Sequence, residues 1–294
     1  VYDVTLVITS DSSGLLCTDS ITKPVVVPDR PTVYFTWTPE PTCLGNPTQF
    51  FGTSGNPITE WYWDFDDGTS SGLPTPPPHT YGASGTYNVE LSVIDHKGCT
   101  QSVVHPITVF QEPFADFSYN TPLCLGDTNF FNDLSNGFGM PISQWDWNFG
   151  DGNTSSMQNP LHIYSQAGNF NVNLVITTFN GCVGNISKSI YVSAYPDVDF
   201  ISNSSLCHQD SILFIDNTNA NGTQLNSWFW DFGDGTNSTQ SNPVHIYNQV
   251  DTLEIKLLVD NIYGCADSMI KSVIIHPNPQ AGFVSDTACL GDLM

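Results

Sequence analysis

Basic residues are scarce in this chain. Lysine and arginine number 6 among 294 residues, against 29 aspartates and glutamates, for a formal charge of −23. A polyanion repels a phosphate backbone, so nucleic acid is not an expected partner, and an anionic membrane surface is no better. Charged residues of both signs make up only 12%, about half the usual share. The polar surface therefore falls to Asn, Thr, Ser and Gln. No run of 18 apolar residues occurs, so no helical segment is expected to enter a membrane. No signal peptide is visible, and helical periodicity is missing throughout. Hydrophobic residues still reach 39%, enough to build cores. The acidic surplus favours solubility and attracts cations such as Ca²⁺.

Self-similarity is the strongest signal present. Cysteines ahead of a short polar turn stand at 43, 124, 207 and 289, spaced 81, 83 and 82 residues. Cys99, Cys182 and Cys265 each follow a glycine, and Cys17 fills the same place after Leu16. A Trp-x-Phe-x-Asp-Gly string recurs at 63–68, 147–152 and 230–235, and His-x-Tyr recurs at His79/Tyr81, His162/Tyr164 and His245/Tyr247. Four markers keep one order and one period of about 83 residues. They divide the chain into repeats at 28–110, 111–193 and 194–276. Residues 1–27 read as the last strands of an earlier repeat, because Tyr2-x-Val4-x-Leu6-x-Ile8 matches Tyr87-x-Val89-x-Leu91-x-Val93. Residues 277–294 read as the first strand of a later one. The array is expected to continue in both directions.

Within the middle repeat, apolar and polar residues alternate over 115–119, 128–132, 145–149 and 170–176, with further short segments at 162–164 and 186–192. Gly150-Asp-Gly152 and Asn180-Gly181 read as turns. Short strands with turns every 8–12 residues predict an all-β fold, a row of immunoglobulin-like β-sandwiches forming an elongated array. Residues two apart on a strand share a face. Trp63 and Phe65, Trp147 and Phe149, and Trp230 and Phe232 are thus expected to point into the cores, with Tyr81, Tyr164 and Tyr247 beside them.

Trp-Asp-Phe-Gly-Asp-Gly, then His-x-Tyr, then Gly-x-Tyr/Phe-x-Val-x-Leu resembles the pattern of PKD domains. Residues 230–235 carry the first string in full. Asp66 stands where the first Gly belongs, Asn148 where the Asp belongs, and Asp251 where Gly85 and Gly168 stand. The added cysteine pair per repeat resembles PKD arrays of bacterial adhesins and cell-surface filaments. The resemblance implies spacing, adhesion or load-bearing outside the cell, without catalysis. It also implies calcium as a possible ligand, since some PKD-type domains bind it. Asp64, Asp66 and Asp67 are the candidates, with Asp116 and Asp199 behind them. Asp before Gly is equally what a turn favours.

Eight cysteines in register indicate disulfides and an oxidising compartment. The first-turn and last-turn cysteines of a sandwich lie at opposite ends, about 20 Å apart, whereas a disulfide needs Cα atoms about 4.4–6.8 Å apart. Head-to-tail stacking would bring Cys43 to Cys182 and Cys124 to Cys265. The alternative is pairing within repeats: Cys43–Cys99, Cys124–Cys182 and Cys207–Cys265. No metal-ligand spacing recurs.

The three histidines of His-x-Tyr have no nucleophile or carboxylate recurring beside them in sequence, which points to packing or a hydrogen bond to a loop. Sequons stand at Asn153, Asn185, Asn203, Asn221 and Asn237. Asp-Ser/Thr before an apolar residue, similar to a bacterial O-glycosylation signal, occurs at Ser20, Ser211, Thr252, Ser268 and Thr287. The pairs Trp61/Trp63, Trp145/Trp147 and Trp228/Trp230 read as core, leaving Trp37 as the one independent candidate for a sugar platform.

The resulting expectation is a non-enzymatic extracellular array on the cell surface, part of a long fibre or an adhesin stalk. Its partners are neighbouring repeats of the same chain and, through lightly protected sheet edges, identical chains in a filament. The alternative is a spacer or carbohydrate-binding accessory region of a secreted hydrolase.

Overall fold

A computed structural model describes residues 1–12, 15–203 and 206–283. Thr287 and Cys289 lie outside them. The chain falls into two compact units. The first comprises residues 1–116, 135–145 and 175–185, and the second residues 117–134, 146–174 and 186–294.

In the first unit, strands Tyr2–Ser12 and Leu15–Val25 form a two-stranded antiparallel hairpin. A complete sandwich follows. Strand Val33–Thr38 pairs with Gln49–Ser54. The facing sheet runs Thr42–Cys43, Thr100–Phe110, Gly85–Asp95, Ile58–Asp64, Ser70–Ser71. In the second unit the last repeat is built alike. One sheet runs Phe200–Ser202, Ser211–Asp216, Val244–Ile246, and the other Asn237–Ser238, Leu225–Asp231, Thr252–Asn261, Ala266–Ile274. The second unit also holds the middle repeat's smaller sheet, Phe117–Tyr119, Asn129–Asp133 and Leu161–His162.

Alternation sets which side chains are inside. Along Gly85–Asp95, Val89, Leu91 and Val93 are buried while Asn88, Glu90 and Ser92 face outward. Ile255, Leu257 and Val259 repeat the pattern in the last repeat. The inward aromatics fill the space between sheets: Phe35, Phe50, Trp63, Phe65 and Tyr81 in one core, Phe200, Phe214, Trp230, Phe232 and Tyr247 in another. Trp147, Phe149 and Tyr164 are buried too. Each buried indole N–H finds a carbonyl ten residues on. Trp63 donates to Leu73, Trp147 to Met157 and Trp230 to Gln240, all at 2.9 Å. The tryptophan thereby ties the loop after the Asp-Gly turn to the core. Trp61 and Trp228 are partly buried against the same cores, as is Trp37, so none forms a flat exposed platform.

The turn after the tryptophan strand needs left-handed backbone. Gly150 has φ 82° and Gly233 φ 76°. A Cβ there would come within 2.7 Å of the Asn171 oxygen and 2.6 Å of the Glu254 oxygen. Asp66 adopts the same conformation, φ 62°. Its carboxylate accepts the Asn88 amide at 2.7 Å, replacing the close backbone approach with a side-chain bond. Asn148 takes the aspartate's place without loss, because its Oδ1 accepts the Gly150 amide at 2.9 Å as Asp64 and Asp231 do for Asp66 and Gly233.

Candidate functional site

The Asp-Gly turn is closed by a latch common to all three repeats. Asp67, Asp151 and Asp234 each accept through Oδ1 the amide two residues on. Through Oδ2 each accepts a ring N–H: His79, His162 and His245 lie at 2.8 Å. Each imidazole stacks on the motif phenylalanine, at 4.3, 4.1 and 4.1 Å from Phe65, Phe149 and Phe232. Its edge meets the motif tyrosine, 4.7, 4.5 and 4.5 Å from Tyr81, Tyr164 and Tyr247. A carboxylate partner therefore does recur beside each histidine, correcting the reading by sequence adjacency: it comes from the turn, 11 or 12 positions earlier.

Several of the candidate calcium oxygens already accept hydrogen bonds. Asp67 is spent on Thr69 and His79, Asp66 on Asn88, and one Asp64 oxygen on the Asp66 amide. Among the described residues no three His, Cys, Asp or Glu side chains group so as to hold a metal ion. Asp199 forms an ion pair with Lys271. Asp116 donates its backbone amide to Ser135.

Burial raises the carboxyl pKa of Asp67, Asp151 and Asp234, but the hydrogen bonds from Thr69, Asn153 and Thr236 and from the histidines outweigh it, and the net direction is down. A depressed carboxyl contributes stability that is fully present above its unfolded value of about 3.9 and is lost as pH falls through the folded value. Melting temperatures measured from pH 7 to pH 2 are expected to hold level down to about pH 5 and to fall steeply below about pH 4.

The tyrosines differ in one atom's partner. Tyr164 and Tyr247 donate their hydroxyls to the Phe149 and Phe232 carbonyls at 3.1 Å, whereas the buried Tyr81 hydroxyl has no partner among the described residues. Tyr164→Phe and Tyr247→Phe are each expected to cost about 1–2 kcal/mol in denaturant titrations, and Tyr81→Phe close to nothing.

The cysteines are positioned by two kinds of turn. The first-turn cysteine lies against the end of its own repeat's last strand. Cys43 bridges Phe110, Cys124 bridges Ser193 and Cys207 bridges His276, all in parallel. The Leu44, Leu125 and His208 amides bond the carbonyls of those three residues at 2.8, 2.9 and 2.8 Å. The last-turn cysteine closes the hairpin between the repeat's two long strands. Its preceding glycine is left-handed: φ is 81° at Gly98, 86° at Gly181 and 87° at Gly264. This explains the Gly-Cys pair.

The structure joins Cys43 to Cys182 and Cys124 to Cys265, each with Cα atoms 5.8 Å apart. All four cysteines are buried. The within-repeat alternatives Cys43–Cys99, Cys124–Cys182 and Cys207–Cys265 are not formed. Cys43 lies at the far end of strand Thr100–Phe110 and Cys99 just before its start. Eleven residues at about 3.3 Å each put more than about 30 Å between them. Cys207 and Cys265 are separated likewise by Ala266–Ile274. Among the described residues, Cys17, Cys99 and Cys207 carry free thiols.

Polar contacts surround the bonds. Gly181 packs on Pro41, where a Cβ would come to 3.3 Å. At the other junction the buried Asn261 accepts the Tyr263 and Cys265 amides through Oδ1, at 3.0 and 3.1 Å. Its Nδ2 donates to Ser193 Oγ and the Ala194 carbonyl at 2.8 and 2.9 Å. The Tyr191 and Tyr263 rings meet at 4.3 Å. No sequence motif marks Asn261, although Thr178 and Asp95 hold the same place one and two periods earlier.

The modification candidates Ser20, Ser211, Thr252 and Ser268 are exposed, Thr252 included because it opens its strand. Asn153, Asn185, Asn203, Asn221 and Asn237 are exposed as well.

A family model described as PKD domain matches residues 29–109, 110–194 and 193–275. Collagenase ColA of Bacillus cereus is 30% identical over 77 residues, covering 26% of this chain and 8% of that protein. Microbial collagenase of Vibrio alginolyticus is 42% identical over 52 residues, covering 18% and 6%. Collagenase ColA of Clostridium perfringens is 27% identical over 160 residues, covering 52% and 14%. The chain thus spans a small fraction of the length of these relatives. Among solved structures, the PKD1 domain of Vibrio anguillarum Epp is 26% identical, covers 29% of this chain and 98% of its own, and superposes with a TM-score of 0.27.

Proposed function

Because the chain belongs to the PKD domain family, we propose that it is a non-catalytic accessory region of a secreted hydrolase, a spacer that holds a catalytic domain relative to an insoluble protein substrate. The observation that carries this reading is the similarity to three collagenases, each matched over no more than 14% of its length. Disulfides between repeats support an extracellular site of action, since such bonds persist in oxidising compartments. The His–Asp latches hold turns in place, and each imidazole packs between a Phe and a Tyr ring.

A second reading, part of a surface fibre or adhesin stalk that also bundles with identical chains, is favoured by the inter-repeat disulfides. A covalent bond at a junction resists separation of neighbours under load, which a passive spacer does not require.

One experiment separates the two. The native full-length protein is assayed on soluble peptide and on insoluble collagen, with and without residues 28–276. The accessory reading expects unchanged peptide turnover and slower attack on the insoluble substrate after deletion. A native protein with no hydrolytic activity, found in surface-attached filaments, overturns it and supports the fibre.

A further inference from the structure

The hairpin Tyr2–Ser12/Leu15–Val25 exposes what complete repeats bury. Tyr2, Val4, Leu6 and Ile8 are 68%, 55%, 61% and 61% exposed, while the matching Val89, Leu91 and Val93 are 0%, 0% and 1%. In the complete repeats the facing sheet covers the face that this hairpin leaves exposed. Val27, one period before Phe110 and two before Ser193, is also exposed. At those later positions a first-turn cysteine is bridged to the strand end.

The neighbouring end of the next repeat carries half of a junction. Gly98 is left-handed like Gly181 and Gly264. Asp95 is buried, and its Oδ1 accepts the Lys97 and Cys99 amides at 2.9 Å, as Asn261 accepts the Tyr263 and Cys265 amides. The second terminal atom of Asn261 reaches across to Ser193 and Ala194. The second oxygen of Asp95 is buried and has no hydrogen-bond partner among the described residues. Beside it the Cys99 thiol is free and partly exposed, whereas Cys182 and Cys265 in the same turn are bonded and buried.

We propose that Cys99 is a junction cysteine, bonded in the mature protein to the first-turn cysteine of the repeat that the hairpin completes. That turn supplies the thiol opposite Cys99 and a hydrogen-bond donor for Asp95 Oδ2, and its repeat covers the exposed hairpin face. Forming the bond removes two protons and two electrons from the two thiols. The electrons reduce the disulfide of a dithiol oxidoreductase to two thiols. The rule that follows is that each repeat is bonded through its last turn to the repeat before it.

The test is non-reducing proteolysis and mass spectrometry of the native full-length protein, alkylated before digestion. The expected product joins the Cys99 peptide to a first-turn cysteine peptide of the repeat immediately upstream. Cys99 recovered alkylated, or bonded to Cys17, overturns the proposal. So does a Cys99–Cys207 link, whether within one chain or, as a multimer on a non-reducing gel, between two copies. As a second readout, Cys99→Ser in the full-length protein is expected to release one new thiol that reacts with an aromatic disulfide reagent without denaturation. A count that is unchanged or lower by one overturns the proposal equally.

Discussion

Trp230→Ala is expected to cost about 3–5 kcal/mol, the range for deleting a buried large aromatic. The indole is fully buried and touches Phe200, Phe214 and Phe232 at ring distances of 5.1, 5.7 and 6.5 Å. Truncation leaves a cavity that rings anchored on two opposed sheets cannot collapse to fill. It also strands the Gln240 carbonyl, which takes the indole N–H. A domain of this length has a total stability on the order of 4–12 kcal/mol at about 0.05–0.15 kcal/mol per residue, so the loss takes a large part of it. Near-ultraviolet circular dichroism with denaturant titration reads the effect. Trp230→Phe keeps most of the ring and loses the N–H, so it should fall well short of the alanine variant. Equal losses for the two would mean that the hydrogen bond to the loop, rather than packing, dominates.

The second large effect belongs to the Cys43–Cys182 bond. It closes a separation of 139 residues. On the chain-entropy account a loop of that length restrains the unfolded state by about 5 kcal/mol, and measured bonds commonly give about 2–4 kcal/mol. The paired variant Cys43→Ser/Cys182→Ser is therefore expected to lose about 2–5 kcal/mol. It avoids leaving one thiol buried alone, which would confound the single variants. The comparison is made by thermal unfolding of both proteins without reductant, and again with it. Reductant should lower the parent towards the variant. A variant within about 0.5 kcal/mol of its parent, inside the range of ordinary surface changes, would show that the bond adds nothing to stability and serves only to hold the neighbours together.

Much of this architecture is legible in linear order. Alternation places Val89, Leu91 and Val93 inside because a strand turns its side chains over every residue, and this holds regardless of what the strand packs against. The Trp-x-Phe spacing works for the same reason. Strand ends are less legible. The two-residue strands Thr154–Ser155 and Leu161–His162 have too few residues for a period to register. The latch was also within reach of the sequence. Asp67 and His79, Asp151 and His162, and Asp234 and His245 keep a nearly constant offset, but residues 11 or 12 positions apart become neighbours only when the turn folds back.

The sequence by itself determined the repeat, the β-sandwich class, the aromatic core and the register of the cysteines, because each depends on residue type and spacing along a single strand or period. Tertiary structure decided what pairs with what. The bridge from Cys43 to Phe110 carries the first turn to the far end of the last strand, away from Cys99 and towards Cys182. Such a bridge is made of backbone atoms, which every residue supplies alike, and so it leaves no mark on the sequence. The same is true of the bare second oxygen of Asp95, whose meaning depends on which neighbour it faces.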